Sequence, residues 1–189
     1  MLIQTILADI KAPVDATRLS GAAYWTRVFG RVLVVPAAHV VILWRISTLL
    51  YRSPFTRPFA YLLRLFTSVW GGTEIHPAAE IGPGLVLLHS QKVMIGEGVK
   101  IGKYARISHG VSIGGDAGTT EFAGCPQIGD YVQIGMDSII MGPVTIGDRA
   151  QIGAQSLVIK DVPELAIAVG SPARVLRVLS PDEHPAPRD

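Results

Sequence analysis

Two histidines, a glycine pair and one cysteine are the residues of this chain whose types and spacing could do chemistry. His89 closes the stretch IGPGLVLLH, and His109 stands in ISHGVSIGG, a few residues before Gly114 and Gly115. A neutral imidazole near pH 7 can take a proton from a hydroxyl and return it elsewhere. A glycine pair lets a ligand approach the backbone closely and offers N–H groups to a developing negative charge. The residues alone leave a plainer alternative open, in which each histidine sits on a wall and bonds a neighbouring carbonyl. His76, just before Pro77, reads as structural. Cys125 is the single cysteine, which excludes an intrachain disulfide and a Cys-based zinc site. No metal-ligand cluster is evident, and no metal is expected.

These residues lie in a segment with an unusual period. Ile95, Ile101, Ile107 and Ile113 recur every six residues, and the step resumes at Ile128, Ile134, Ile140, Ile146, Ile152 and Val158. Four residues past each anchor sits a small or β-branched residue: Val99, Ala105, Val111, Val132, Ser138, Val144, Ala150, Ser156, Val162. Ile75, Ile81 and Leu87 add three more units, offset by two residues. Neither a helix nor a half-buried strand has a six-residue step, and a fixed short repeat signals a β-helix. One buried anchor contributes roughly 1.5–3 kcal/mol, against on the order of 6–12 kcal/mol to fix six backbones. Single units therefore cannot stand alone. Thirteen units, three per triangular coil, make about four coils stacked about 4.8 Å apart. The glycine after most anchors is expected to supply the backbone angles of each corner.

The stretch GGDAGTTEFAGCPQ interrupts the step between Ile113 and Ile128. It is expected to protrude as a loop over 114–127, and such excursions from a rigid scaffold tend to carry function. Residues 1–72 instead show helical spacing. A helix is expected over Tyr24–Val35, and a short one within Met1–Ser20. In AAHVVILWRISTLLYR, Val40, Leu43, Ile46, Leu49 and Leu50 fall on one side, with Arg45 and Arg52 opposite. Pro54 and Pro58 then break the chain before a last helix ending at Gly71-Gly72. The helices should cover one open end of the β-helix (73–162), and Val162–Leu179 the other, within a C-terminal cap and tail over 163–189.

Composition sets bounds on partners. A 189-residue chain with 49% hydrophobic and 17% charged residues buries ample apolar surface. A net charge of +2 gives no case for nucleic acid, and no aromatic-and-basic stripe offers stacking on bases. The start of the chain does not read as a signal peptide, and the run from Val32 to Trp44 is too short to span a bilayer. A cytoplasmic location is expected. The arginines at 27, 31, 45, 52, 57 and 64 are expected on solvated helix faces, with peripheral membrane contact open but not favoured.

GTEIHPAAEIGPGLVLLH, VMIGEGVKIGKYARISHGVSIGG, IGDYVQIG and VGSPARV together resemble the serine acetyltransferase branch of the hexapeptide-repeat acyltransferases, over roughly residues 70–178. The resemblance implies a left-handed parallel β-helix with an α-helical N-terminal region, a homotrimer, and active sites between subunits. Left-handed winding departs from the usual crossover rule and rests on the resemblance alone. It implies an acetyl-CoA-dependent O-acetyltransferase in which His89 is the general base and Glu74 supports it, as a carboxylate fixes a histidine's tautomer. With that reaction, the glycine pair Gly114 and Gly115 is expected to hold the oxyanion, and the acceptor is expected near His109, Ser90, Gln91 and Cys125. Pantetheine would run along Gly115, Met136 and Ala154, with Lys160, Pro172 and Arg174 toward the phosphates.

The chain departs from the serine enzymes at Leu88, where they carry aspartate, at Ser90-Gln91-Lys92, and at Gly124-Cys125-Pro126, where they carry Arg-His-Pro. Those groups handle serine's charges in the family. A C-P-x-I-G loop end with glutamate at 74 is instead similar to exopolysaccharide acetyltransferases. The expected acceptor is a sugar or another neutral alcohol, with Thr119 and Thr120 as further hydrogen-bonding groups. Serine O-acetylation and a non-catalytic scaffold are the alternatives.

Overall fold

A computed structural model describes residues 2–15, 17, 19–115 and 124–183. Four helices, α1 (Leu2–Asp15), α2 (Gly21–Val34), α3 (Pro36–Tyr51) and α4 (Arg57–Gly71), precede the strands. Pro36 and Pro58 sit in the first turns of α3 and α4, where a missing N–H costs nothing. Gly72 ends α4 in the left-handed conformation, φ 61°.

Strands then follow in threes. The first coil is β1 (Glu74–Ile75), β2 (Glu80–Ile81) and β3 (Val86–Leu88), and the second is β4 (Met94–Ile95), β5 (Lys100–Ile101) and β6 (Arg106–Ser108). The third is β7 (Ser112–Gly114), β8 (Gln127–Ile128) and β9 (Gln133–Ile134); the fourth is β10 (Ile139–Met141), β11 (Thr145–Ile146) and β12 (Gln151–Ile152). β13 (Leu157–Val158) and β14 (Ala166–Gly170) begin a fifth turn, and β15 (Ala173–Val178) folds back antiparallel on β14. Strands β4 to β13 each pair in parallel with the strand three places before, and β14 pairs in parallel with β12, giving three walls. The result is a left-handed parallel β-helix of about four turns. In-register pairs such as Ile95 with Ile113 and Ile101 with Ile128 stack the anchors into one buried column per wall.

The glycines after the anchors do not turn the corners, contrary to the sequence expectation. The left-handed residue falls three places past the anchor, at Tyr104, Tyr131, Asp137, Arg149 and Gln155, with φ of 54–59°. Gly102 is required for a different reason. A Cβ there would lie 2.6 Å from the backbone of Gly129 in the next coil.

The helices close the first coil, though not with the side predicted. Ala37, Val40, Val41 and Trp44 of α3 join the β-helix core, whereas Leu49 is exposed and Leu43, Ile46 and Leu50 are half-buried. Arg45 is buried rather than solvated. It binds Asp9 at 2.9 Å and donates to the carbonyls of Ile81 and Gly82 at 2.6 Å each. Asp9 in turn accepts the N–H groups of Gly84 and Leu85, both at 2.8 Å. Burial pushes the Asp9 carboxyl up from its ordinary range, against the opposing pull of Arg45 and the two amides. A ladder edge cannot be buried with its polar groups unpaired, and this ion pair supplies partners that a purely apolar helix face could not.

Candidate active site

The two-residue offset between Leu87 and Val93 is a widened corner where β3 turns toward β4. His89 and Lys92 both adopt left-handed φ there, 62° and 58°. The corner is tied down from behind: Lys92 N–H donates to the Gly72 carbonyl at 2.7 Å, and the Thr73 hydroxyl donates to the Ser90 carbonyl. His89 is left exposed on the outside.

His109 occupies the same corner one coil on. Its N–H donates to the Leu88 carbonyl at 3.1 Å, and its ring meets that of His89 edge to face with centroids 6.0 Å apart. The column continues upward. Asp137 N–H donates to the His109 carbonyl at 3.0 Å, and Gln155 N–H to the Met136 carbonyl at 2.8 Å. Register therefore lines up His89, His109, Met136 and Ala154, one per coil, and Gly170 follows through the pairing of β12 with β14. Pro172 lies in the β14–β15 turn at the head of this column, and Arg174 starts down β15, exposed. Residues taken from a resemblance thus share one edge of the prism, with exposed Met136 and Ala154 leaving that edge open to a thin, extended ligand.

Other expected site residues stand elsewhere. Gly115 and Lys160 lie on the next corner, past wall β1-β4-β7-β10-β13, so the full width of that wall separates them from the imidazoles. Gly114 ends β7 on the same side, with open space where a Cβ would point. A Cβ on Gly115 would collide with the Gly124 carbonyl, which marks the neck where the long loop leaves and returns. Cys125 is half-buried on that corner and donates its thiol to the Glu97 carbonyl at 3.1 Å. Residues 116–123, including Thr119 and Thr120, lie outside the described residues. Ser90, expected to meet the acceptor, is buried, while Gln91 beside it is exposed.

Glu74 has a partner that the sequence reading did not assign. Arg64 of α4 forms an ion pair with Glu74 through Oε1. The helical spacing of α4 placed Arg64 on a solvated face, and only the approach of α4 to β1 shows its target. His76 is buried, accepts the Ala78 N–H on Nδ1 at 3.1 Å, and packs edge-on against Tyr51 and Tyr61. Burial pushes its pKa down, partly offset by Glu97. A concavity of about 920 Å³ lies along the wall of β2, β5, β8 and β11 beside α1 and α3, away from His89 and His109.

Comparison with known proteins places this geometry. Residues 125–160 match the family model described as bacterial transferase hexapeptide (six repeats). A serine acetyltransferase of Helicobacter pylori is 36% identical over 149 residues, covering 76% of this chain and 83% of that protein. A putative colanic acid biosynthesis acetyltransferase, WcaB, of Escherichia coli is 40% identical over 144 residues, covering 76% of this chain and 87% of that one. The chloroplastic serine acetyltransferase 1 of Arabidopsis thaliana is 52% identical over 103 residues, 54% of this chain, but only 32% of that protein is matched. The crystal structure of serine acetyltransferase from Brucella abortus in complex with coenzyme A superimposes with a TM-score of 0.83 at 30% identity. That match covers 94% of this chain and 68% of the other.

Proposed function

The chain belongs to the hexapeptide-repeat acyltransferases of the serine acetyltransferase type, and from that premise we propose that it transfers acetyl from acetyl-CoA to a neutral hydroxyl acceptor, a sugar or polysaccharide precursor. His89 is the general base. As it takes the acceptor's proton, the hydroxyl oxygen attacks the thioester carbonyl. The tetrahedral intermediate then collapses, and the imidazolium returns the proton to the departing thiolate. Glu74, held by Arg64, orients the imidazole. The backbone N–H groups of Gly114 and Gly115 stabilise the oxyanion. Met136 and Ala154 flank the pantetheine arm, with Pro172, Arg174 and Lys160 toward the phosphates. Because the glycine corner and the histidine corner of one chain are a wall apart, the working site is composed between neighbours in a homotrimer.

The observation that carries this reading is the alignment of His89, His109, Met136 and Ala154 on one edge. The neutral acceptor is supported by the residues that stand where the serine enzymes carry charged groups. Leu88, beside His89, is exposed and apolar, and the Cys125 thiol is engaged by Glu97. Neither can pair with the charges of an amino acid, and leaving a buried charge unpaired costs several kcal/mol. Serine O-acetylation is the second reading, favoured by the names of several relatives.

Purified protein with acetyl-CoA, a panel of hydroxyl acceptors and detection of free thiol decides between them. A specificity constant for a sugar or nucleotide-sugar well above that for L-serine is expected. Efficient turnover of L-serine would promote the second reading, and no thiol release with any acceptor would leave the scaffold.

A further inference from the structure

The helical region turns its apolar side outward. Helix α4 buries Ala60, Thr67 and Gly71, while Phe59, Leu62, Leu65, Phe66, Val69 and Trp70 are 50–80% exposed. At 100° per residue these six fall on one outward arc, so α4 is amphipathic with its polarity reversed. Helix α2 repeats the pattern, with Trp25, Phe29 and Leu33 exposed at successive turns and only Val28 buried. Phe55, between α3 and α4, is 88% exposed. An apolar surface of this extent on an isolated chain marks an interaction site.

Charge identifies the partner. No Asp or Glu occurs between Ala16 and Thr73, and residues 1–73 carry eight of the 17 Lys and Arg but two of the 15 Asp and Glu. Of those two, Asp9 is buried against Arg45. Arg27 on α2, Arg52 just past α3 and Arg57 at the start of α4 are exposed.

We propose that this helical surface docks on an anionic lipid bilayer and lies within its interface. Trp, Phe and Leu side chains enter the boundary between headgroups and acyl chains, while the arginines meet lipid phosphates. Among the described residues no single helix is long and apolar enough to cross a membrane. Helices α2 and α3 pass such a test only as a pair bent by 74°. The buried side of α3 is committed to the first coil, so the pair is not a span. A second copy of the chain is the competing occupant. Joining two copies through this region would bring together two segments that each carry eight basic and two acidic residues, with no Asp or Glu between Ala16 and Thr73 to offset them. Anionic lipid supplies the missing charge. The docked face ends at Val69 and Trp70, next to Gly72, whose carbonyl receives Lys92 N–H at the His89 corner.

The test is flotation of the full chain with phosphatidylcholine vesicles, with and without phosphatidylglycerol, while tryptophan emission is followed. The protein should float with the anionic vesicles, with a blue shift from Trp25 and Trp70. Partition should be at least about tenfold weaker on neutral vesicles or in high salt. Leu62→Glu with Leu65→Glu should abolish flotation while the circular dichroism is kept. Arg27→Gln with Arg57→Gln, which leaves the apolar face intact, should weaken only the anionic component. A folded wild type that stays in the soluble fraction would overturn the proposal, as would flotation indifferent to the leucine substitutions. Concentration-dependent assembly removed by those same substitutions, with no vesicle binding, would assign the face to a second copy.

Discussion

The ring of His109 meets the ring of His89 edge-on at 6.0 Å across one rung of the β-helix, although twenty residues of chain separate them. The contact follows from the ladder, since β3 and β6 pair in register and each strand ends one residue before its histidine. His89→Asn is the clean test of the base, because asparagine tolerates the left-handed backbone at this position. It should lower acetyl transfer by about 10²–10⁴-fold, measured by thiol release, with acetyl-CoA affinity unchanged. His109→Asn should cost on the order of tenfold, the equivalent of one lost hydrogen bond, and appear mainly in the KM for the acceptor. The reverse ranking would move the base to His109.

Under the proposed mechanism Arg64, paired with Glu74, acts through that carboxylate and touches no reacting atom. Arg64→Met should lower kcat by roughly ten- to a hundredfold through misplacement of the base, with the KM for acetyl-CoA unchanged. Arg64→Lys should restore part of the rate. The melting temperature should move little, since a half-exposed ion pair contributes modestly to stability. A large loss of stability with unaltered kcat would make Arg64 a structural residue only.

Arg45 has the opposite profile. Arg45→Met removes the cationic partner of Asp9, which keeps only the Gly84 and Leu85 N–H groups, and the donor to the carbonyls of Ile81 and Gly82. The expected loss is about 3–5 kcal/mol in urea unfolding, because removing one partner strands a buried charge. Arg45→Met combined with Asp9→Asn should recover part of it. Equal losses in the single and double variants would mean that Asp9 keeps its charge satisfied by Gly84 and Leu85.

Buried His76 makes stability depend on pH in one direction. Its folded pKa is lowered by burial, so below about 6.5 the unfolded chain binds more protons than the native one. The contribution of neutral His76 is complete above that value and is lost as pH falls toward the depressed folded pKa. The stability gap between wild type and His76→Gln should therefore narrow between pH 7.5 and pH 5.5. A gap that holds constant would show that His76 is not titrating against the fold.

The six-residue step fixed the coils, their number and the inward residues, because only stacked three-sided coils bury one large side chain every six positions. It did not fix the face of α3. That helix is apolar nearly all round, so periodicity could not choose a side; the unpaired amides and carbonyls of the first coil chose the side carrying Arg45. The glycine after most anchors was visible, but its reason was not, since close approach belongs to the neighbouring coil and leaves no local trace. Within the site, His89, Met136 and Ala154 came from the resemblance, and their shared edge with His109 shows only in the register between coils. Arg64 reaching Glu74 was not legible, because it joins a helix to a strand through packing alone.

The column also sets a length scale. Coils advance by about 4.8 Å each, so His89 and Gly170, four rungs apart, are about 19 Å apart along the axis. That separation is quantised. Point substitutions leave it alone, and it changes only when a whole coil is gained or lost, eighteen residues at a time from Met136 to Ala154. A donor that spans the column must match an integer number of coils, so the repeat count is itself a specificity element, inherited in steps rather than tuned by side chains.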